Sequence, residues 1–209
     1  MADSLRMNFL AHLHLALPTP ESRMGNLLGD FVKGNPWDER FPLVIWQGIM
    51  EHRLVDSFTD KSDVWNESKD LLPVNLRRYA GIIIDVFYDY FLHRHWRQFS
   101  HGGSIDAFVE SVHRDLVSAL PWAPPHAASA IRRMICEEWL LSYRTKEGVD
   151  ITLKRIARRS PALSVIAEAV AYLEQFEGEM EQHFLRFYPE LQTYVTSIRP
   201  VSMATFQPA

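Results

Sequence analysis

From Ile82 to Trp96 the chain reads IIIDVFYDYFLHRHW, an apolar segment that carries Asp85, Asp89 and His93 at steps of four. Steps of four keep side chains on one face of a helix. The positions between are Ile, Val, Phe, Tyr and Leu, so the same helix is predicted to be buried. A carboxylate in apolar surroundings is costly unless it is paired, hydrogen-bonded or bound to a metal. Any fold that accepts this helix must therefore bring partners to Asp85 and Asp89. The segment EHRLVDSFTD offers a second such face, with His52, Asp56 and Asp60 again four apart. Two faces of this kind can meet around a divalent cation.

Almost every other segment also repeats its apolar residues at three and four, which predicts helix throughout. Helices are expected over about 3–16, from Glu21 or Ser22 to Gly34, from Pro42 to about Asp60, and in a short piece ending before Pro73. The central helix is expected from about Val74 to Phe99, where Gly102 and Gly103 break it. Ser104 can cap the next, to about Leu120. PWAPP is a tight loop, and helices follow over 127–144, from Asp150 or Thr152 to Arg159, and from Pro161 to about Tyr188. The expectation is all-α: a single-domain bundle of about seven to nine helices over 1–200, with a disordered tail over 201–209. Trp46, Trp65, Trp96, Trp122 and Trp139 fall at helical spacing and are read as core.

Composition narrows the chemistry. The formal net charge is −4, which gives no bulk attraction to nucleic acid. A lone Cys136 rules out a disulfide framework, disfavours a Cys-based metal site and fits a reducing, cytoplasmic setting. No apolar run approaches the ~18 residues of a membrane span. The apolar patch in MNFLAHLHLALP is interrupted by two histidines, unlike a signal peptide's core. GxSxG, GxxxxGK[ST] and GxGxxG are all absent, which weakens serine-hydrolase, P-loop and dinucleotide readings.

The Asp and His faces fit metal-assisted hydrolysis, which wants imidazole and carboxylate ligands with positions left for substrate, while a non-catalytic helical binding protein with capped or salt-bridged acids is the rival. Asp30, between Leu28 and Phe31, is another acid in apolar company, and His12 and His14 share that setting. His12 or Asp56 is a candidate general base. Lys33 and Arg53 are cations near these acids that could steady a phosphoryl group. His93 lies on the Asp85/Asp89 stripe and His95 is turned away by about a third of a circle, though helix ends are soft. A basic block of Lys154, Arg155, Arg158 and Arg159, with Arg132 and Arg133 upstream, departs from the acidic average and suits an acidic protein partner.

The blocks MNFLAHLHLA, GNLLGDFVKGNP, HRLVDSFTD, DVFYDYFLHRHW, EEWLLSYR and RFYPEL, in this order from Met7 to about Leu191, resemble the acyl carrier protein phosphodiesterases. That family is a divergent branch of the HD-type metal phosphohydrolases, which are all-helical. The resemblance implies hydrolysis of the phosphodiester that joins 4'-phosphopantetheine to a serine of holo acyl carrier protein, with Mn2+ the preferred ion and Mg2+ or another divalent cation as substitutes. It implies metal ligands among Asp30, His52, Asp56, Asp85 and Asp89, and it aligns His95, not His93, with the family block. Asp30 would also be catalytic. No adjacent His-Asp pair occurs, so the set departs from ordinary HD enzymes. A phosphohydrolase acting on a nucleotide or other small phosphoester is the alternative. Oligomeric state is not legible in the residues.

Overall fold

Thr19 accepts a hydrogen bond from the Ser22 amide and Pro20 follows it, so α2 (Pro20–Leu28) begins on a side-chain cap with its first turn preset. Similar caps open α4 (Asp63–Asp70) at Ser62, α7 (Ile105–Ala119) at Ser104 and α10 (Lys146–Ala157) at Thr145. The computed structural model describes residues 9–34, 41–100 and 102–204. Within them lie these four helices together with α1 (Phe9–Leu15), α3 (Leu43–Lys61), α5 (Ala80–Arg94), α6 (Trp96–Phe99), α8 (Pro125–Cys136), α9 (Trp139–Ser142) and α11 (Val170–Ala204), plus three 3-10 turns. Among the described residues there is no strand, so the fold is all-α. No helix there is long and apolar enough to cross a membrane.

Nine of the described helices have seven residues or more, within the expected seven to nine, and shorter pieces appear beside them because several long predicted helices are broken. Residues 74–99 form a 3-10 turn (Arg77–Tyr79), α5 and α6, with His95 leaving helical geometry between the last two. Residues 127–144 break at Glu138, whose φ of 50° is left-handed. That reversal folds Trp139 into the core at 1% exposure. Pro161 opens a 3-10 turn, and α11 starts at Val170, kinks at Phe176 and reaches Ala204. The tail expected over 201–209 is thus helical to Ala204, and 205–209 lie outside the described residues, as do 1–8 of the first predicted helix. Trp122 is 44% exposed and leaves the expected core set, because it sits on a surface 3-10 turn.

α5 is the centre of the molecule. Eleven of its fifteen residues are buried, from Ala80 through Leu92, because α1, α4, α10 and α11 pack around it. An aromatic layer of Trp65, Tyr88, Phe184, Phe187 and Tyr188 joins it to α4 and α11, with ring centroids 5.0 to 5.9 Å apart. A short polar chain runs through this layer: Ser68 Oγ lies 2.8 Å from the Tyr88 hydroxyl and 3.0 Å from His183 Nδ1.

α2 and α3 cross with their backbones in contact. A Cβ on Gly25 would stand 2.3 Å from the Ile45 carbonyl oxygen, and one on Gly48 would stand 2.8 Å from Gly25 Cα. Only glycine fits at both positions. This close crossing sets the end of α2 against the middle of α3, where the candidate residues converge.

Candidate metal centre

Three elements build the group. α3 carries His52 and Asp56 one turn apart on one face, with His52 Nε2 3.5 Å from Asp56 Oδ2. α1 brings His12, whose Nε2 lies 3.4 Å from Asp56 Oδ1 and whose ring stacks on His52 with centroids 3.9 Å apart. The turn after α2 brings Asp30, with Oδ1 3.7 Å from His52 Nε2. Asp30 is expected mid-helix, but α2 ends at Leu28 and the acid sits in the following turn. Gly29 makes the approach possible, since a Cβ there would lie 2.2 Å from His52 Cγ.

One ligand atom each from His12, His52 and Asp56 can be chosen so that all lie within 4.8 Å of one another. Donors about 2.0–2.2 Å from a common ion are separated by roughly 3–4 Å, so the group fits a divalent cation and its imidazole and carboxylate donors suit one. The electrostatics agree. Burial opposes a charge on both partners, yet Asp56 and Asp30 hold the His52 imidazole above its usual value, with help from the Asn26 backbone. Hydrogen bonds from His12 and His52 overcome burial and hold the Asp56 carboxyl well below the usual range.

Against this geometry stand the likenesses to known proteins. The family model for acyl carrier protein phosphodiesterase matches residues 7–191. Proteins named acyl carrier protein phosphodiesterase from Klebsiella pneumoniae subsp. pneumoniae, Salmonella agona and Enterobacter sp. are each 37% identical over 185 residues, covering 88% of this chain and 95% of theirs. The chain belongs to the acyl carrier protein phosphodiesterase family. No solved structure matches it.

The other residues that the family blocks single out occupy different settings. Asp89 is fully buried, and its two oxygens accept from the backbone amides of Leu10 and Ala11 at 3.1 and 2.9 Å. It therefore caps α1 from a distant helix and fixes the turn that carries His12. Burial pushes its carboxyl well above the usual range, and the two amides oppose that. Asp85, one turn earlier and 1% exposed, shares its surroundings with Asp89 and Tyr143. His95 stands apart from the His12–His52–Asp56 group: its Nε2 lies 2.7 Å from Glu181 on α11. His93, half-buried, is pushed down to about 4 by desolvation and the nearby Arg144. The break at His95 is what turns the family's histidine to α11.

The cations divide as well. Arg53 donates to the carbonyls of Val32 and Gly34 at 2.7 and 2.8 Å, so it clamps the segment after Asp30 instead of facing a phosphoryl group. Lys33 is exposed on that segment. In the basic block, Lys154 pairs with Asp150 at 2.6 Å and Arg133 with Glu137 at 3.8 Å, while Arg132 and Arg158 are exposed. Arg155 is drawn inward over Trp139. Arg159, in the turn after α10, is exposed, and desolvation together with Arg155 and Arg133 holds its guanidinium below the usual value. Tyr143 is the residue that sequence reasoning passed over. It is fully buried, and burial, with the charges of Asp89 and Asp85 against those of Arg155 and Arg159, drives its hydroxyl pKa upward. The block EEWLLSYR contains it, but nothing in that block's periodicity marks a tyrosine of the site.

Proposed function

We propose that the chain is a cytoplasmic, divalent-metal-dependent phosphodiesterase that removes 4'-phosphopantetheine from holo acyl carrier protein and leaves the apo-protein. The observation that supports this most is the convergence of His12, His52 and Asp56 within 4.8 Å, in a chain of this family. Mn2+ is the ion we assign, with Mg2+ or a similar cation as substitute.

His12, His52 and Asp56 would hold the ion, and Asp30, adjacent to His52, completes the donor set. When bound, the ion lowers the pKa of water and offsets charge on the phosphoryl oxygens. The protein's part is positional. Asp89 fixes α1 and so the orientation of His12, while Asp56 orients both imidazoles. His12 and His52 are buried while Asp56 is partly open, so the donors sit at the edge of the core, where fixed dipoles act strongly on a developing charge.

The substrate protein is acidic, and so is this chain at net −4, so docking needs a local basic surface. Arg132, Arg133, Lys154 and Arg158 offer exposed cations for it. The deciding experiment incubates purified protein with holo acyl carrier protein and Mn2+ and follows the carrier by intact mass. A fall equal to phosphopantetheine is expected. An unchanged mass across Mn2+, Mg2+, Co2+ and Zn2+ would overturn the reading.

A further inference from the structure

Near its end, α11 sets one guanidinium against three other helices. Arg199 Nε lies 3.0 Å from Glu51 Oε2, and Arg199 Nη2 lies 3.2 Å from Glu51 Oε1. The same Nη2 donates to the Leu15 carbonyl, at the C-terminus of α1. Glu51 Oε1 also accepts from Asn26 Nδ2 at 3.3 Å, and that amide donates to the Ser22 carbonyl at 3.2 Å, so α2 joins the network. Ser22 Oγ in turn accepts from the Leu17 amide at 3.1 Å, just past α1. Asn26 and Ser22 are buried and the Glu51 side chain is only 13% exposed, so the ion pair is shielded from solvent.

The helices joined here are the ones that build the candidate centre. α1 carries His12, α3 carries His52 and Asp56, and the turn after α2 carries Asp30. Glu51 directly precedes His52 on α3. Asn26 lies at the close crossing of α2 and α3, where a Cβ on Gly48 would stand 3.0 Å from its amide nitrogen. Holding Glu51 therefore fixes the rotation of α3 about its own axis. A turn of ~10° would carry a side-chain tip ~5–6 Å from the axis by about 1 Å. A working site tolerates only about 0.5 Å. Asp89 takes the first amides of the seven-residue α1 and Arg199 takes a carbonyl at its other end, so that short helix is held at both ends. A two-point arginine–carboxylate pair fixes direction as well as distance, which a lysine's point charge does not. Arg199 also lies beyond the last of the family blocks, RFYPEL, which ends at Leu191.

We propose that Arg199 is a positioning residue for the metal ligands: through Glu51, Asn26 and the Leu15 carbonyl it sets α1, α2 and α3 so that His12, His52 and Asp56 converge. This rests on the metal-dependent reading of the centre. The guanidinium is engaged by Glu51 and Leu15, so it acts on the ion only through the helices it holds. Seating the end of α11 and loading the ion are thereby coupled.

The test uses the full-length protein with Arg199→Met, Arg199→Lys, Glu51→Gln and the Arg199→Met/Glu51→Gln pair. Mn2+ affinity is measured by electron paramagnetic resonance of the free ion, at a temperature where each variant is folded. Arg199→Met should weaken Mn2+ binding by about ten- to a hundredfold, the scale for loss of a group that orients ligands, with the number of ions unchanged. Charge alone predicts the reverse, since removing a nearby cation favours a bound cation. Arg199→Lys should recover part of the affinity, because it keeps the charge and loses the fork. The double variant should bind no more weakly than Arg199→Met, because both changes act along one path. Turnover of holo acyl carrier protein lost at limiting Mn2+ should return at saturating Mn2+, with KM for the carrier unchanged. If the variants lower the thermal midpoint and leave Mn2+ affinity alone, Arg199 is a structural ion pair and the proposal fails. Should Arg199→Met not fold, the isosteric Glu51→Gln makes the same comparison, with weaker Mn2+ binding expected. A metal-free readout separates this proposal from the reading beneath it. In chelator, Arg199→Met should shift the His12 and His52 ring signals and quicken amide exchange in α1, with α8 unaffected. Unmoved signals would overturn the proposal even if the ion binds. Moved signals in a chain that binds neither Mn2+ nor Mg2+ would leave Arg199 as the group that positions the histidines, and only the metal reading would fall.

Discussion

His52 and Asp56 set opposite limits on pH. The imidazole is held above its usual value in the folded chain, so its contribution is complete below about 6.5 and is lost as pH rises through the raised value. The Asp56 carboxyl is held low, so its contribution is present above about 4 and is lost as pH falls towards the folded value. Metal-free protein should therefore have its highest thermal midpoint between about pH 4 and the raised His52 value and lose stability on the alkaline side. Midpoints measured in chelator from pH 5 to 9 decide this, and a flat profile would remove the ion pair from the account. A second test at this scale concerns Gly29. Alanine there would place Cβ 2.2 Å from the His52 ring, so Gly29→Ala should displace the imidazole and abolish metal binding, read by metal analysis, even where helix content by circular dichroism is kept.

At the scale of elements, α1 is short, and its N-terminal amides of Leu10 and Ala11 are satisfied by a side chain seventy-eight and seventy-nine residues away. That makes Asp89 a tether between α5 and α1 and only through it a contributor to His12. Asp89→Ala should cost about 1–3 kcal/mol by denaturant unfolding, the scale of a lost cap that leaves buried donors unmade. It should also weaken Mn2+ binding while the number of ions bound stays the same. A loss of one bound ion with unchanged stability would instead make Asp89 a direct ligand.

Across the whole molecule, a cation that binds only the folded chain adds stability by mass action. At a hundredfold excess over Kd, Mn2+ should add about 2.7 kcal/mol, or roughly 5–10 °C in a chain of this size, and chelator should reverse it. Scanning calorimetry with and without Mn2+ checks this, and an unmoved midpoint would count against a metal centre. Charge acts over the same scale. Both partners in the proposed complex are acidic overall, so productive encounter depends on the exposed strip of Arg132, Arg133, Lys154 and Arg158. Raising ionic strength from 50 to 300 mM should lower kcat/KM on the carrier and leave turnover of a small phosphodiester much less affected.

Periodicity and breakers in the sequence determined the helical class, the cap at Ser104, the interruption at PWAPP and the burial of α5, because these are local properties of three to seven neighbouring residues. They also determined that acids and histidines would be trapped in apolar surroundings and would need partners. Which partner each one has was decided only by the tertiary structure. His12 joins His52 and Asp56 because Asp89 anchors α1 and two glycines let α2 and α3 touch. His95 goes to Glu181 because the chain breaks between α5 and α6, and Glu138 adopts a left-handed turn that no local pattern announces. Arg155 reads as surface charge along the chain, and it is the placement of Trp139 by another helix that draws it inward, whereas Arg159 stays exposed. Spacing fixes which side chains share a face, whereas contact between faces is the outcome of packing over the whole core.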